Sequence, residues 1–337
     1  MERASTGGRV ADAPMRPGSR VLVAGHRGLV GSAICRRLTK HGYQELLLRS
    51  RQELDLKDRA AVWNFFRSER PEYVVLAAAK VGGIHANKSY PVDFISENLL
   101  IQSNVIDACY EFGVTRLLFL GSSCIYPKLC PQPIREEYLL TGPLEATNRP
   151  YAVAKIAGVE QCWAYNRQYG THFLAAMPTN LYGPGDNFDL NNSHVLPALL
   201  RKVATAKASH AKQVVVWGSG TPRREFLYSD DLADACVFLL ELETERFATL
   251  LREDEPPLVN IGVGEDVTIR ELAERICDLL GYDGELVFDT AKPDGTPRKL
   301  LDVSRMRALG WTAEVGLDEG IRRMAEAAAD TLGAASI

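Results

Sequence analysis

No apolar run in this sequence reaches the ~18–20 residues that a helix needs to cross a bilayer, so neither a spanning helix nor a membrane partner is expected. An excess of basic charge is missing too. The formal net charge is −4, which leaves no field to gather nucleic acid or an anionic membrane surface. The cysteines are seven, an odd number, at 35, 109, 124, 130, 162, 236 and 277, and none stands in CxxC spacing. That argues against a disulfide framework and against any metal site of the zinc type. It points instead to a reducing, cytoplasmic setting. Residues 1–18 lack the apolar middle of a secretory signal. Their Gly, Pro and Arg content reads as a disordered tail in preference to a weak transit-like leader. There is no internal repeat.

What the chain does have is a 46% hydrophobic composition over 337 residues, enough for a sizeable core and for about two domains. Residues 20–24 (RVLVA) read as a strand and 32–41 as a helix. Between them lies Gly25-His26-Arg27-Gly28-Leu29-Val30-Gly31. Glycines at this spacing permit a tight turn, close backbone approach to a pyrophosphate, and close packing of helix on strand. Further apolar strands at 45–48, 72–79, 117–120, 173–177 and 258–262 alternate with helical patterns. The predicted fold is α/β: a Rossmann doubly wound parallel sheet with a smaller α/β C-terminal substrate domain.

The predicted organisation places an NADP-binding domain at 19–184 plus about 229–262. The substrate-binding domain takes about 185–228 plus 263–330. Within the latter, 195–205 and 268–280 read as helices, 213–217 and 285–288 as strands, and 302–321 as mostly helical. Residues 229–231 read as a helix cap, and Thr268 as another.

The second strand ends in Arg49-Ser50-Arg51. An NAD-selective fold commonly carries Asp or Glu here for the ribose 2′-hydroxyl. Two arginines and a serine suit a 2′-phosphate, so the expected cofactor is NADP(H). Asp55 is expected either at the adenine amino group or as the N-cap of a helix over 57–67. Ala79 and the small residues after it would let a cofactor lie across the strand tips. Asn98 and Asn104, in the helical stretch 90–110, read as packing and hydrogen-bonding residues.

Residues 117–127 (LLFLGSSCIYP) form a buried strand opening into a loop with two hydroxyls and a thiol. In a doubly wound sheet that end faces the ligand crevice. Tyr151 and Lys155, four apart, share one helical face. A nearby ammonium favours phenolate and lowers a pKa that is about 10 in a free phenol.

Taken with Gly25, Gly28, Gly31 and Ser122, the Tyr151–Lys155 pair makes the chain resemble the extended short-chain dehydrogenase/reductase family. Longer matches narrow this. They include LGSSCIYP (120–127), TGPLEATN (141–148), YAVAKIAG (151–158), MPTNLYGPGDNF (177–188), NSHVLPAL (192–199) and KPDGTPRK (292–299). They are similar to the branch that carries out 3,5-epimerisation and 4-reduction on GDP-4-keto-6-deoxy-D-mannose. The resemblance implies that Tyr151 donates a proton to the C4 oxygen as NADPH delivers hydride. It implies that Lys155 holds the nicotinamide ribose, that Ser122 binds the same oxygen, and that Cys124 and His194 are the acid–base pair for C3 and C5. Ser123, Lys202, Trp217, Arg224 and Asp294 would contact substrate. The cofactor would lie on Gly25, Arg27, Gly28, Leu29, Val30, Gly31, Arg51, Asp55, Leu56, Ala79, Leu120, Gly121, Tyr151, Lys155, Pro178, Asn180, Leu181 and His194. A homodimer through the helices at 90–110 and 151–169 is also implied.

The implied chemistry is sound on its own terms. A C4 ketone acidifies the protons at C3 and C5. A thiol near ~8.5 and an imidazole near ~6.5 bracket neutral pH, so either can move a proton there. The competing expectation is another nucleotide-sugar epimerase, dehydratase or 4-reductase on the same scaffold. A dehydratase would carry Asp-Glu beside Thr where this chain has Ser122-Ser123-Cys124.

Overall fold

The computed structural model describes residues 10–190, 193–292 and 294–332. The apolar runs fold as β1 (Val21–Ala24), β2 (Leu46–Leu47), β3 (Tyr73–Leu76), β4 (Arg116–Leu120) and β5 (Phe173–Pro178). Then come β6 (Asn180–Tyr182), β7 (Gln213–Trp217), β8 (Arg223–Arg224), β9 (Phe226–Tyr228) and β10 (Leu258–Ile261). β10 returns to the first group and completes a six-stranded parallel sheet in the order β10-β5-β4-β3-β1-β2. Chain order reverses beside β1, which has β2 on one side and β3 on the other, so the crevice opens at the carboxyl ends of these strands.

Helices α1 (Leu29–Lys40), α2 (Arg59–Glu69), α3 (Ile84–Ser89), α4 (Pro91–Glu111), α5 (Arg149–Tyr169), α6 (Val195–Ala208) and α7 (Ser229–Glu241) connect these strands. α1 and α7 bury their apolar faces on one side of the sheet; α2, α4 and α5 cover the other. Both faces are therefore dry, which is why the strands read as unbroken apolar runs. The chain continues through α8 (Thr244–Ala248), β11 (Val267–Thr268), α9 (Ile269–Leu280), β12 (Glu285–Asp289), β13 (Arg298–Lys299), α10 (Ser304–Ala308) and α11 (Leu317–Ala327). A third core forms from α6, α9, α11, β7 and β9. In the smaller sheets β12 pairs with β7, and β8 lies between β11 and β13. α9 starts on the expected Thr268, whose hydroxyl accepts from Glu271 N while Glu271 accepts from Thr268 N.

Three expectations need correction. Residues 302–321 are not mostly helical: α10 ends at Ala308, and Trp311 turns inward with its Nε1 on Asp234 at 2.9 Å. Leu301, Val303, Met306 and Trp311 also pack against the six-stranded sheet, not in the third core. At the other junction, Ser229 begins α7 and Tyr228 occupies the cap, with no side-chain cap bond.

The expected disordered tail also fails from residue 10 on; residues 1–9 lie outside those described. Met15 is fully buried, and its N–H donates to Leu240 O at 2.8 Å. The cause is Arg116, which has no exposed surface. Its Nε and Nη2 donate to the two Asp12 carboxylate oxygens at 2.6 and 2.7 Å, and its Nη1 donates to Leu240 O and Leu242 O. Removing one member of a buried pair strands the other charge. Asp12→Ala is therefore expected to cost about 3–5 kcal/mol in urea unfolding. A loss under ~1 kcal/mol, the range of a surface pair, would mean that the segment around Asp12 and Met15 is not held by this contact.

Candidate active site

The turn after β1 is as tight as its glycines allow. Gly25 sits at φ +90°, and a Cβ there would lie 2.7 Å from Ala78 N. A Cβ on Gly31 would lie 2.1 Å from Gly25 O. α1 then starts at Leu29, after Gly28 as N-cap residue, with no side-chain cap and no acidic residue in its first turn. Its free N–H groups and positive dipole end are left for an anion. A cleft of about 1120 Å³ opens here. It is lined by Gly25, Arg27, Gly28, Leu29, Val30, Gly31, Arg51, Asp55, Leu56, Ala79, Leu120, Gly121, Pro178, Asn180 and Leu181, all of them residues expected at a cofactor.

The arginines after β2 are not equivalent. Arg49 is committed: Nη2 meets Glu69 at 2.7 Å, and the guanidinium lies 5.4 Å from the Phe65 ring. Arg51 is exposed and only 3.6 Å from Glu97, so it stays available at the rim with Arg27. Asp55 does not cap α2. Its Oδ1 accepts from Lys57 N at 3.0 Å, while Asp58 caps the helix through Ala61 N at 3.1 Å. Asn98 and Asn104 are buried hydrogen-bonding residues. Asn98 brackets Lys80 at both N–H and C=O, and Asn104 donates to Leu56 O and Lys57 O.

The same cleft is lined by Ser122, Ser123, Cys124, Tyr151, Lys155 and His194. β4 delivers the first three on a short 3-10 turn, in which Cys124 N donates to Ser122 Oγ at 3.3 Å. Ser123 is buried. α5 brings Tyr151 to the same cleft wall as Ser122, whose hydroxyl acts on the phenol. Burial first, and then Cys124, raise the Tyr151 pKa, against a smaller opposing effect of Ser122. The phenol is thus held protonated. This departs from the expected depression by Lys155. The Lys155 ammonium is turned away, donating to Leu120 O at 2.7 Å, and lies 5.9 Å from the Tyr151 ring centroid. Burial pushes Lys155 down to about 7.

Cys124 Sγ receives Asn148 Nδ2 at 3.1 Å and Lys299 Nζ at 3.4 Å. His194 is the N-cap residue of α6, makes no side-chain cap bond, and lines the cleft as an exposed residue. The protein packed around it, and then the charge of Lys299, lower its pKa and favour neutral imidazole.

Of the remaining expected contacts, Lys202, Trp217, Arg224 and Asp294 do not line this cleft. They gather beyond it. Lys202 Nζ donates to Val215 O at 2.9 Å and lies 5.0 Å from the Trp217 ring. Trp217 ends β7 and is 59% exposed, so it is not ordinary core. Lys292 Nζ reaches its ring at 5.5 Å. Asp294 accepts from Ser219 N at 2.9 Å and Ser219 Oγ at 2.7 Å. Arg224 joins the two groups: it interacts electrostatically with both Cys124 and Asp294 and stands opposite Lys299 in the β8–β13 pairing.

Sequence reasoning assigned no role to Lys299 or Asn148, although both end stretches that carry the resemblance, 292–299 and 141–148. It also passed over Glu225, which is fully buried. The Glu225 carboxylate accepts from Val263 N, Gly264 N and Leu301 N at 2.6, 2.7 and 2.9 Å. Its own carbonyl takes Thr179 Oγ1 and Asn180 Nδ2. It thereby fixes the floor between the two halves. Among the described residues no cluster of His, Cys, Asp and Glu is arranged to hold a metal, and no helix is long and apolar enough to cross a membrane.

Residues 21–251 match the NAD dependent epimerase/dehydratase family. The chain is 58% identical over 303 residues to GDP-L-fucose synthase 1 of Arabidopsis thaliana, covering 90% of this chain and 91% of the relative. It is 58% identical over 304 residues to GDP-L-fucose synthase of Escherichia coli K12, covering 90% and 94%. A solved GDP-L-fucose synthetase from Naegleria fowleri bound to NADP superposes with a TM-score of 0.85 at 30% identity, over 98% of this chain and 99% of the other.

Proposed function

Because this chain belongs to the NAD dependent epimerase/dehydratase family, we propose that it converts GDP-4-dehydro-6-deoxy-D-mannose to GDP-L-fucose, by 3,5-epimerisation and then NADPH-dependent reduction at C4. The observation that carries this reading is the presence of Cys124 and His194 in the same cleft as Ser122 and Tyr151. A plain ketone reductase needs only the latter two.

The glycine turn, the open start of α1 and the exposed rim arginines Arg51 and Arg27 fit a dinucleotide with a 2′-phosphate. When bound, NADPH supplies a hydride to C4. The side chains do the rest. Ser122 and Tyr151 hold the C4 oxygen. In epimerisation, one of Cys124 and His194 removes the proton from C3 or C5, and the bonding pair moves onto that oxygen as an enolate. The other returns a proton to the opposite face. Ser122 and Tyr151 stabilise the enolate without reorganising. In reduction, Tyr151 gives its proton to the same oxygen, and Lys155 holds the ribose. Arg224 and Lys202 meet the diphosphate, with Trp217 and Asp294 at the nucleotide. The sheet half thus carries the cofactor and the third core the nucleotide sugar.

A homodimer through α4 and α5 belongs to the same reading, supported by exposed Val92, Leu100 and Val153 on those helices. So does a cytoplasmic location, supported by cysteines that are all free. Incubation with GDP-4-keto-6-deoxymannose and NADPH is expected to consume NADPH and give product inverted at C3 and C5 by NMR. Consumption without inversion would leave a 4-reductase, and no consumption would overturn the proposal.

A further inference from the structure

Asn148 is spent in an unusual way. It is the N-cap residue of α5, and asparagine there normally accepts from the helix N–H groups. Here its side chain makes no cap bond. The carboxamide turns to the neighbouring loop and donates Nδ2–H to Cys124 Sγ at 3.1 Å. Its Oδ1 is left buried without a hydrogen-bond partner among the described residues. An unsatisfied buried acceptor is costly and calls for a reason. The approach is also braced. Glu145 accepts from Asn148 N at 3.2 Å and from Thr147 N at 2.9 Å, so the turn carrying Asn148 is held from behind. Asn148 stands one helical turn ahead of Tyr151, so one helix start reaches both the thiol and the phenol.

Hydrogen bonds donated to sulfur favour thiolate over thiol, because only the anion is a strong acceptor. Lys299 Nζ, at 3.4 Å, supplies a second donor from β13. Tyr151 and Arg224 also act on Cys124 electrostatically. Glu145, Lys128 and Arg298 line a small cavity shared with Cys124 and Asn148. The carboxamide carries no charge and does not titrate, so it acts through direction and not through net charge.

We propose that Asn148 is a positioning residue that sets the proton affinity of the Cys124 thiol and thereby the rate of proton transfer at C3 and C5. This rests on the role given to Cys124 above. The test compares the full-length protein with Asn148→Asp, which keeps the shape, removes the donor and places a carboxylate beside the sulfur. Alkylation of Cys124 by iodoacetamide, followed on its peptide by mass spectrometry, is measured against pH. The midpoint is expected to rise by about one unit or more, and solvent deuterium exchange at C3 and C5 with NADP+ at neutral pH to fall about tenfold, one pH unit being a factor of ten. The exchange should recover as pH is raised, which a merely structural defect would not show. NADPH binding reports folding; if the Asp variant does not bind, Asn148→Ala is read by the same midpoint. A midpoint within about 0.3 unit of wild type in the variant that binds overturns the role of Asn148. If Cys124→Ser keeps full exchange, it is the underlying reading that has failed.

Discussion

Tyr151→Phe is expected to slow reduction of the C4 ketone by about 10²–10⁴-fold, the usual span for loss of a positioned acid. The reduced oxygen must acquire a proton as hydride arrives, and the alternatives at hand are poor. Ser122 Oγ already accepts from Cys124 N and is a weaker acid than a phenol. Lys155 is occupied at Leu120 O. Removing the hydroxyl deletes the donor while the ring, packed edge-on against Phe94 at 6.2 Å, keeps its place. Proton exchange at C3 and C5 should survive at a reduced rate, because Ser122 still faces the enolate oxygen. Single-turnover NADPH oxidation alongside exchange in deuterated buffer separates the steps. Reduction at the wild-type rate would remove Tyr151 as the donor.

Cys124→Ser should give the opposite pattern: exchange lowered by about 10²-fold or more, with NADPH affinity unchanged. A serine hydroxyl is nearly isosteric but does not ionise near neutral pH, so the donors at Asn148 and Lys299 have no anion to stabilise. In the proposed reading, cofactor affinity rests on the glycine turn and the rim arginines, which the substitution leaves in place. Exchange at the wild-type rate in this variant would assign proton transfer at carbon to some other group.

The parts of the site legible in the sequence were those built from local geometry. The turn after β1 needs glycine where a Cβ would strike backbone, and that shows as spacing. Tyr151 and Lys155 share a face because helical periodicity puts them there. The capping box at Thr268 is likewise a local signal. What stayed hidden depends on partners far apart in the chain. Asp12 pairs with Arg116 across 104 positions, so a charged residue in a Gly- and Pro-rich stretch looked like tail. Lys299 reaches Cys124 across 175 positions, and no property of the lysine itself announces that. Asp55 and Asp58 are equally good caps by composition, and only the path of the backbone decided between them. Lys155 had the right spacing to lower the Tyr151 pKa. Its depth of burial, which spacing does not encode, turned the ammonium to a carbonyl.

Glu225 bears on how the molecule comes apart. Its carboxylate holds the chain just beyond β10, in the sheet half, and the chain at Leu301, while its own strand segment leads into the third core. Opening either half would leave that buried group facing unmatched backbone or would expose it alone. Separating the halves would therefore cost these three hydrogen bonds together. Calorimetry should show one cooperative melting peak, with equal calorimetric and van't Hoff enthalpies. Two resolved peaks would mean that the junction is not shared.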